Sequence, residues 1–437
     1  MDIFALSYKR LLELRSAAVG NHKRLCHPPS FLPSLMPLPS LTLENSSVQF
    51  TYTDSGPVVN DGAYTTLVII HGHTFHAGTF QRLLPIAANK HLRIVCINRR
   101  EYNGSTLYSD AELEVFQSGT EAQRAELHAA QGRDLALCLD GLIRTLGIPK
   151  AGGIALAGWS LGCTLLCALL ASIDSLPDAT KARLSEWVHT AIIFQAPCNA
   201  FGISFPDPDR LLMPHTDPAI PPEQRPAAFA LWVSSYFAHG DLSTRDIKVL
   251  SYPAPAPDDP AALNTPTVAR LAPAELASMV DFVPGARYDD ILGINGPLKD
   301  VIAASVQKAL WDPAVRKQWS RMHSASEKAN CGGGGGIWSV YGTAEPWNII
   351  YTGWLFEDTA KANPETGIQF KVVEGINHFV VWEDPARALD IFAECLPATT
   401  MPALPEEPAA AYAGGWGLNI WLAIKRLSFF IHLVMLS

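Results

Sequence analysis

Short apolar runs of strand length alternate with helical stretches between about residues 47 and 205. The strand-like runs are 48–52, which alternates like an edge strand, Thr65–Ile70, Leu92–Ile97, 153–157 and 190–194. Apolar residues at helical spacing predict helices over 78–90 and Glu121–Leu146. This alternation predicts an α/β fold with a mostly parallel central sheet flanked by helices. Because right-handed crossovers bring the carboxyl ends of parallel strands to one edge, we expect the ligand site there.

The strand pattern stops at about residue 205 and returns at 337–341 and Gln369–Val373, followed by a helix over 385–395. The intervening text is rich in Pro, Ala and Asp, with helical patches at 227–237 and 303–319. It predicts a largely helical cap insertion over the sheet edge, here named the cap segment (residues 205–335). The glycine run 332–336 predicts a flexible joint, since neither G-x-G-x-x-G nor a P-loop Lys-Ser/Thr is present.

The predicted domain organisation therefore has four parts. They are a peripheral N-terminal segment (1–45), a core (46–204 and 336–397), the cap segment (205–335), and a Pro/Ala linker with a hydrophobic tail (398–437).

Composition narrows the class of protein. Hydrophobic residues make up 48% of the 437 residues and charged residues 17%, enough apolar sequence for a sizeable core. A net charge of -9 with no basic stripe argues against a nucleic-acid binder. The eight cysteines contain no C-x-x-C pair, which predicts buried thiols rather than a disulfide framework. Charges near the N-terminus disfavour a signal peptide, so we expect a cytoplasmic protein.

The hydrophobic tail 418–437 leaves the relation to membranes open. It is long enough to span a bilayer, but Lys425 and Arg426 near its middle disfavour a transmembrane helix. A helix at the membrane surface, or one docked on the protein, is the favoured interpretation, and a tail without function is the alternative. Peripheral membrane contact is thus an open partner hypothesis, and the sequence does not indicate the oligomeric state.

The segment Gly158-Trp-Ser-Leu-Gly162 carries the strongest chemical signal. This G-x-S-x-G pattern follows a small apolar run and precedes the helix-like run 163–171. A serine on a sharp strand-to-helix turn is a nucleophile elbow, which predicts Ser160 as the nucleophile. The glycines are needed because side chains two residues either side of the serine would collide with the neighbouring strand and helix.

A serine nucleophile needs a histidine base oriented by a carboxylate, and in this architecture the chain order is serine, acid, histidine. His378 lies after the last strand-like run and before the last helix, which predicts it as the base. Glu345 lies three residues beyond Gly342, after the penultimate strand, and is the predicted acid. Asp358 falls outside that turn, and Asp384 sits too close behind His378.

Backbone amides must stabilise the oxyanion that forms during acyl transfer. Leu161, after the nucleophile, is one predicted donor. The other lies in the loop after Thr65–Ile70, where His73 is the first choice and Thr74 the second. His71 is interpreted as a residue that fixes the loop.

A zinc site is the rival interpretation of the same loop. His71-x-His73-x-Phe75-His76 nearly has the H-x-H-x-D-H spacing of a metallo-β-lactamase-type site. However, Phe75 occupies the Asp position, and the distal ligands would have to be isolated histidines without a motif. We therefore expect no metal and no organic cofactor in the reaction.

Together these features resemble the α/β-hydrolase superfamily, of the serine-nucleophile type with a cap insertion. The residues that carry the resemblance are 52–56, His71-Gly72, 98–105, the G-x-S-x-G segment, Gly342-x-x-Glu345 and Asn377-His378. It covers about residues 45–205 and 335–397. Relatives with Asp or Cys at the nucleophile position, such as epoxide hydrolases and dienelactone hydrolases, are disfavoured by Ser160.

Two departures from the family pattern stand out. Glu345 occupies a position that is most often Asp in relatives. In 98–105, Arg99, Arg100 and Tyr102 either face the pocket or brace the loop, and bracing is favoured.

The resemblance implies a serine hydrolase that cleaves a carboxylic ester, lactone or thioester through an acyl-serine intermediate. Alternatives are a carbon–carbon bond or amide hydrolase with the same triad, a non-hydrolytic binding module, and a membrane-associated lipid hydrolase that uses the tail. Cap aromatics favour a small, apolar acyl substrate, although at helical spacing such residues more often form the cap's own core. They are Phe229, Trp232, Tyr236, Phe237, Trp311 and Trp319.

Overall fold

A single eight-stranded sheet forms the centre of the molecule. The computed structural model describes residues 37–59, 62–254, 265–293, 296–329 and 335–397. The strands are β1 Ser40–Thr42, β2 Gln49–Asp54, β3 Thr65–Ile70, β4 Leu92–Ile97, β5 Ile154–Trp159, β6 Val188–Phe194, β7 Gly336–Gly342 and β8 Gln369–Val373. Their order is β1-β2-β4-β3-β5-β6-β7-β8, antiparallel at β1–β2–β4 and parallel elsewhere. The predicted mostly parallel sheet flanked by helices is confirmed.

Helices cover both faces of this sheet. The α-helices are α1 Asp110–Ser118, α2 Glu121–Leu146, α3 Gly162–Ala171, α4 Asp178–Trp187, α5 Arg225–Val233, α6 Thr267–Arg270, α7 Pro273–Ala277, α8 Phe282–Pro284, α9 Asp290–Gly293, α10 Lys299–Leu310, α11 Pro313–Gln318, α12 Ser320–Ala329, α13 Trp347–Ala362, α14 Val380–Glu383 and α15 Pro385–Glu394. The 3-10 helices are Ala77–Phe80, Leu84–Lys90, Ile173–Ser175, Cys198–Phe201, Pro222–Gln224, Leu242–Thr244, Ile247–Val249 and Pro364–Thr366, and Gly285–Asp289 is a π-helix. Every residue of β3, β4, β5 and β6 is buried, which explains their continuous apolar sequences.

The predicted edge strand is an interior strand in the structure. β2 pairs with β4 on one side and with β1 on the other, in the register Ser40↔Thr51. β1 lies inside the stretch that was predicted to be peripheral. Three residues directly after Pro39 are too short for a periodic signal, so only the pairing with β2 reveals this strand.

Prolines explain where the observed helices differ from the predicted ones. The helix Glu121–Leu146 is confirmed, with a capping box from Thr120 and Gln123. The predicted helix over 78–90 is two 3-10 helices instead, because Pro85 lacks an N–H and collides with the preceding turn. The predicted patch over 303–319 is likewise divided by Pro313 into α10 and α11.

The cap segment lies between β6 and β7 and divides into two parts by packing. Its later helices pack on the core, since α10 contacts α3 and α12 contacts β6 and β7. Earlier residues, Met213 and Phe229 among them, line a pocket at the carboxyl edge of the sheet. The predicted cap, 205–335, therefore includes helices that belong to the layers around the sheet.

The described cysteines are free and buried, as the sequence predicted. Burial raises the pKa of the Cys96 thiol to about 12. None of the described helices is long and apolar enough to cross a membrane. Residues 332–334 of the predicted joint and the tail 398–437 lie outside the described residues.

A buried ion pair connects the loop after β4 to the cap segment. The Arg99 guanidinium donates to both carboxylate oxygens of Asp289, at 3.0 and 2.8 Å, and to the Gly72 carbonyl at 2.7 Å. The exposed fractions of the Arg99 and Asp289 side chains are 2% and 0%. Burial alone would lower the pKa of Arg99, but the Asp289 carboxylate reverses the effect and raises it.

Removing one charge of this pair tests its contribution to stability. We expect Asp289→Asn to lower the free energy of unfolding by about 3–5 kcal/mol, because Arg99 is left buried without a counter-charge. The matched control is Glu126→Gln, whose carboxylate is 72% exposed and pairs with Arg133. This control should change stability by less than about 1 kcal/mol in urea denaturation. Equal losses in the two variants would contradict the assignment.

Candidate active site

Ser160 occupies a strained turn between β5 and α3. Its φ is +56°, a left-handed backbone conformation that is rare for residues other than glycine. Its N–H donates to the Phe194 carbonyl at 2.9 Å. A Cβ at Gly158 would lie 2.8 Å from the Cys163 Cα, and one at Gly162 would lie 2.2 Å from the Ile70 carbonyl oxygen. Both glycines are therefore required by close backbone approach, and the sharp turn predicted from G-x-S-x-G is present.

Glu345 and His378 are brought together from the ends of β7 and β8. His378 Nδ1 lies 3.2 Å from Glu345 Oε2, and the other carboxylate oxygen accepts the Gly342 N–H. The exposed fractions of the His378 and Glu345 side chains are 1% and 0%. The Trp159 ring stacks on the imidazole with centroids 4.9 Å apart. This arrangement can orient an imidazole and stabilise its protonated form.

Burial shifts the pKa values of both members of this pair toward their neutral forms. It lowers the pKa of His378 to about 3, and it raises the pKa of Glu345 well above its usual value. A neutral imidazole is the form that can accept a proton from a serine hydroxyl. A buried carboxylate without a cation would in turn be stabilised when the imidazole becomes charged.

Ser160 and His378 line the same pocket. Among the described contacts there is no hydrogen bond between the serine hydroxyl and the imidazole. Catalytic hydrogen bonds are often long or misaligned before substrate binds, so the shared pocket is the relevant geometry. The pocket wall is mainly apolar, with Met213, Phe229, Trp232, Val233, Pro346 and Ile349.

The two first-choice oxyanion donors, His73 and Leu161, also line this pocket. Within the described part of the chain, neither of their amides donates to a protein acceptor. The Thr74 amide, the second choice, instead donates to the Tyr102 hydroxyl at 2.9 Å. The Thr74 N–H therefore already has an acceptor, whereas none is described for the His73 N–H, and the role of His73 as an oxyanion donor stays a prediction.

The loop that carries His73, named here the oxyanion loop (residues 71–76), is held against the turn at Ser160. A Cβ at Gly72 would lie 2.8 Å from the Ser160 Cβ, so only glycine fits there. His71 is buried, its Nε2 accepts the Arg99 N–H at 3.1 Å, and its Nδ1 donates to the Gly72 carbonyl at 2.9 Å. Burial and then the Arg99 guanidinium lower the pKa of His71 well below its usual value.

These contacts bear on the zinc interpretation of the H-x-H-x-F-H spacing. Both ring nitrogens of His71 bond to the loops around it, and Nδ1 of His76 accepts the Gly78 N–H at 3.1 Å. The His71 ring thus has no nitrogen available for a metal. Arg99 and Tyr102 brace the oxyanion loop and do not line the pocket with Ser160.

Two residues close to His73 belong to no recognisable sequence motif and were not predicted. Asp290 accepts from His73 Nε2 at 2.8 Å, and His215 Nε2 lies 3.7 Å from the same Asp290 oxygen. Both belong to the cap segment, and only tertiary structure brings them to the oxyanion loop. Of the cap aromatics, Phe229 and Trp232 line the pocket, whereas Phe237 and Trp319 are buried outside its wall.

The strand order, the turn at Ser160 and the acid–histidine pair at the carboxyl edge define an α/β-hydrolase fold. No protein-family model matches the sequence, and no curated protein matches it.

Solved structures similar to this chain have low identities and low TM-scores. Proline iminopeptidase of Mycobacterium smegmatis is 13% identical with a TM-score of 0.42, covering 82% of this chain and 97% of its own. Epoxide hydrolase A of Mycobacterium thermoresistibile is 15% identical with a TM-score of 0.41, again covering 82% and 97%. A structure from work on carboxylesterases of Nitrososphaera gargenis is 16% identical with a TM-score of 0.38, covering 81% and 96%. The fold assignment therefore rests on the strand order and the site geometry.

Replacing Glu345 by glutamine should change stability and reactivity in opposite directions. We expect Glu345→Gln to slow fluorophosphonate labelling of Ser160 by about 10³–10⁴-fold, because the imidazole loses its orienting carboxylate. The same change should increase the free energy of unfolding at pH 7. Burial raises the pKa of Glu345 in the folded state, so its ionised form is disfavoured there.

The sign of this stability effect fixes its pH dependence. The cost of the ionised carboxylate is absent below the pKa of the unfolded state, about 4.5 or lower, and grows as pH rises above it. The gain in Glu345→Gln should therefore disappear in acid, which urea denaturation at several pH values measures. The control is Glu374→Gln, an exposed carboxylate in the loop before His378. A stability gain that persists below pH 4 would contradict this account.

Proposed function

We propose that this protein is a serine hydrolase that cleaves a carboxylic ester, lactone or thioester through an acyl-serine intermediate. The observation that carries the proposal is the buried Glu345–His378 pair beside Ser160 in one pocket. The left-handed conformation of Ser160 supports it, because strained backbone on a strand-to-helix turn is typical of a nucleophile elbow.

The proposed reaction uses each of these residues in turn. Ser160 Oγ attacks the acyl carbon while His378 takes the hydroxyl proton, and the carbonyl π electrons move to the oxygen. The amides of His73 and Leu161 stabilise this oxyanion. When the tetrahedral intermediate collapses, the bond to the leaving group breaks and His378 protonates that group. A water molecule then attacks the acyl carbon while His378 takes its proton. The bond between the acyl carbon and Ser160 Oγ breaks, His378 returns the proton to Oγ, and the acid is released.

The pocket wall supports an apolar acyl group as the substrate. Met213, Phe229, Trp232 and Ile349 surround the space next to Ser160. Burying an apolar chain against these side chains would contribute favourable transfer free energy, roughly 25 cal/mol per Å² of apolar surface. Asn199 and Asn348 also line the pocket, and their amide groups could form a hydrogen bond with a polar atom of the substrate.

Hydrolysis of amides or carbon–carbon bonds would use the same three residues, so substrate comparison is needed to separate these activities. Esters and thioesters have better leaving groups than amides, and they are the proposed class. Epoxide hydrolysis is not proposed, because Ser160 stands at the position where a carboxylate nucleophile would be required.

Fluorophosphonate labelling of the purified full-length chain tests the nucleophile. We expect wild-type protein to be labelled and Ser160→Ala to lose the label completely, because an activated serine alone reacts with this probe. The control is Ser172→Ala, since Ser172 is also buried and its hydroxyl donates to the Leu169 carbonyl. That variant should be labelled like the wild type.

Substrate panels follow from the labelling. Esters, lactones and thioesters of increasing acyl length should be cleaved by the wild type and by Ser172→Ala, and amides more slowly. Well-folded wild-type protein that takes up no label and cleaves none of these substrates would overturn the proposal in favour of a ligand-binding role.

A further inference from the structure

Three potential metal ligands meet beside the oxyanion loop, from three separate parts of the chain. They are His73 of the loop, and His215 and Asp290 of the cap segment. One ligand atom from each lies within 4.8 Å of the others. The side chains of His73 and His215 are only 7% and 9% exposed, whereas that of Asp290 is 38% exposed, so the two histidines are buried and the carboxylate lies on the solvent side of the cluster.

The distances between these atoms suit a small divalent ion. The Asp290 Oδ1 oxygen lies 2.8 Å from His73 Nε2 and 3.7 Å from His215 Nε2. Zinc bonds of about 2.1 Å in a tetrahedron separate the ligand atoms by roughly 3.4 Å. The two observed distances lie on either side of this value, and the two histidine ligand atoms lie within 4.8 Å of each other, so side-chain shifts of up to about 1.4 Å would bring the three ligand atoms to this spacing.

His215 gives an independent indication that a partner belongs here. Its Nε2, the nitrogen that faces the cluster, is too far from Asp290 for a hydrogen bond, and no hydrogen bond of either ring nitrogen is among the described contacts. An ion in the cluster would give Nε2 the partner that buried polar groups normally have. It would not contact Nδ1, which points away from the cluster and is buried without a partner. The ring is held by edge contacts with Phe229 and His73, at centroid distances of 4.6 and 5.3 Å.

We propose that His73, His215 and Asp290 form a binding site for a divalent first-row transition-metal ion of the zinc class. Two imidazole nitrogens and one carboxylate are a donor set that suits such ions.

The surroundings of His73 agree with a ligand role. Its Nδ1 lies 2.8 Å from the Thr74 hydroxyl. Without an ion, Nε2 carries the proton that is donated to Asp290; when an ion binds, the proton would move to Nδ1, which then donates to Thr74, and the Nε2 lone pair would bind the ion. Hydrogen bonds of this kind commonly orient metal-bound histidines. The site differs from the H-x-H-x-F-H spacing, because His71 and His76 take no part.

The ion would connect the cap segment to the oxyanion loop, and it takes no part in the acyl transfer proposed above. His73 lines the pocket with Ser160, whereas His215 and Asp290 are not among its lining residues. Binding would therefore fix the position of the His73 backbone relative to Ser160, in addition to the Arg99–Asp289 pair next to Asp290.

The test is metal binding by the full-length chain after treatment with a chelator. Zn²⁺ binding is measured by equilibrium dialysis with elemental analysis, and Co²⁺ binding by its visible absorption, which reports the ligands directly. We expect one Zn²⁺ per chain, and a Co²⁺ spectrum of low coordination number. His215→Phe, which keeps an aromatic ring against Phe229, and Asp290→Asn should each weaken binding at least about tenfold, since even outer-shell changes cost 10–100-fold.

The control is His91→Asn, an exposed histidine in a left-handed backbone conformation that asparagine tolerates. It should bind Zn²⁺ like the wild type, and so should Ser160→Ala, which separates this proposal from the hydrolase activity. Circular dichroism shows that each variant is folded, and the two ligand variants provide independent readings if one of them is not. Wild-type binding no tighter than that of His215→Phe, or a six-coordinate Co²⁺ spectrum, would overturn the proposal.

Discussion

The Arg99 guanidinium is buried where an isolated charge would cost several kcal/mol, so it must be surrounded by acceptors. Asp289 and the Gly72 carbonyl provide them, and the Tyr102 hydroxyl donates to the same carboxylate while it accepts from the Thr74 amide. One buried charge pair therefore fixes the loop after β4, the oxyanion loop and the cap segment relative to each other. The position of His73 beside Ser160 depends on this network more than on any local preference of the loop.

Backbone pairing extends the same connection. The Thr74 carbonyl accepts the Asp281 N–H, His76 N–H donates to the Met279 carbonyl, and Phe75 forms a β-bridge with Val280. A Cβ at Gly285 would approach the Thr74 hydroxyl oxygen to 3.0 Å. The part of the cap segment around 279–290 is thus bound to the oxyanion loop by hydrogen bonds and close packing. Movement of this part would also disturb the loop, since the two share their hydrogen-bond partners.

The sequence could predict the features that follow from local rules. Ser160, Glu345 and His378 each follow a strand, so the parallel sheet alone brings them to one edge. The glycines two residues either side of Ser160 predict the sharp turn. β1 could not be predicted, because three residues are too few to show the alternation of apolar and polar residues that marks a strand. Apolar residues at helical spacing continue across Pro85 and Pro313, but each proline interrupts the helix because it lacks an N–H. His215 and Asp290 could not be predicted, because their meeting with His73 depends on how the cap segment packs.

The acid–histidine pair shows why burial matters to the proposed chemistry. In water at pH 7 an isolated Glu is almost fully ionised and an isolated His is partly protonated. Here burial disfavours the charged form of both Glu345 and His378. The state with a carboxylate and a neutral imidazole therefore holds one uncompensated buried charge. Transfer of the serine proton to His378 converts this state into an adjacent ion pair, with the negative charge of the oxyanion facing the His73 and Leu161 amides. In the proposed reaction burial therefore favours proton transfer to His378, because the imidazolium that forms lies 3.2 Å from the Glu345 carboxylate.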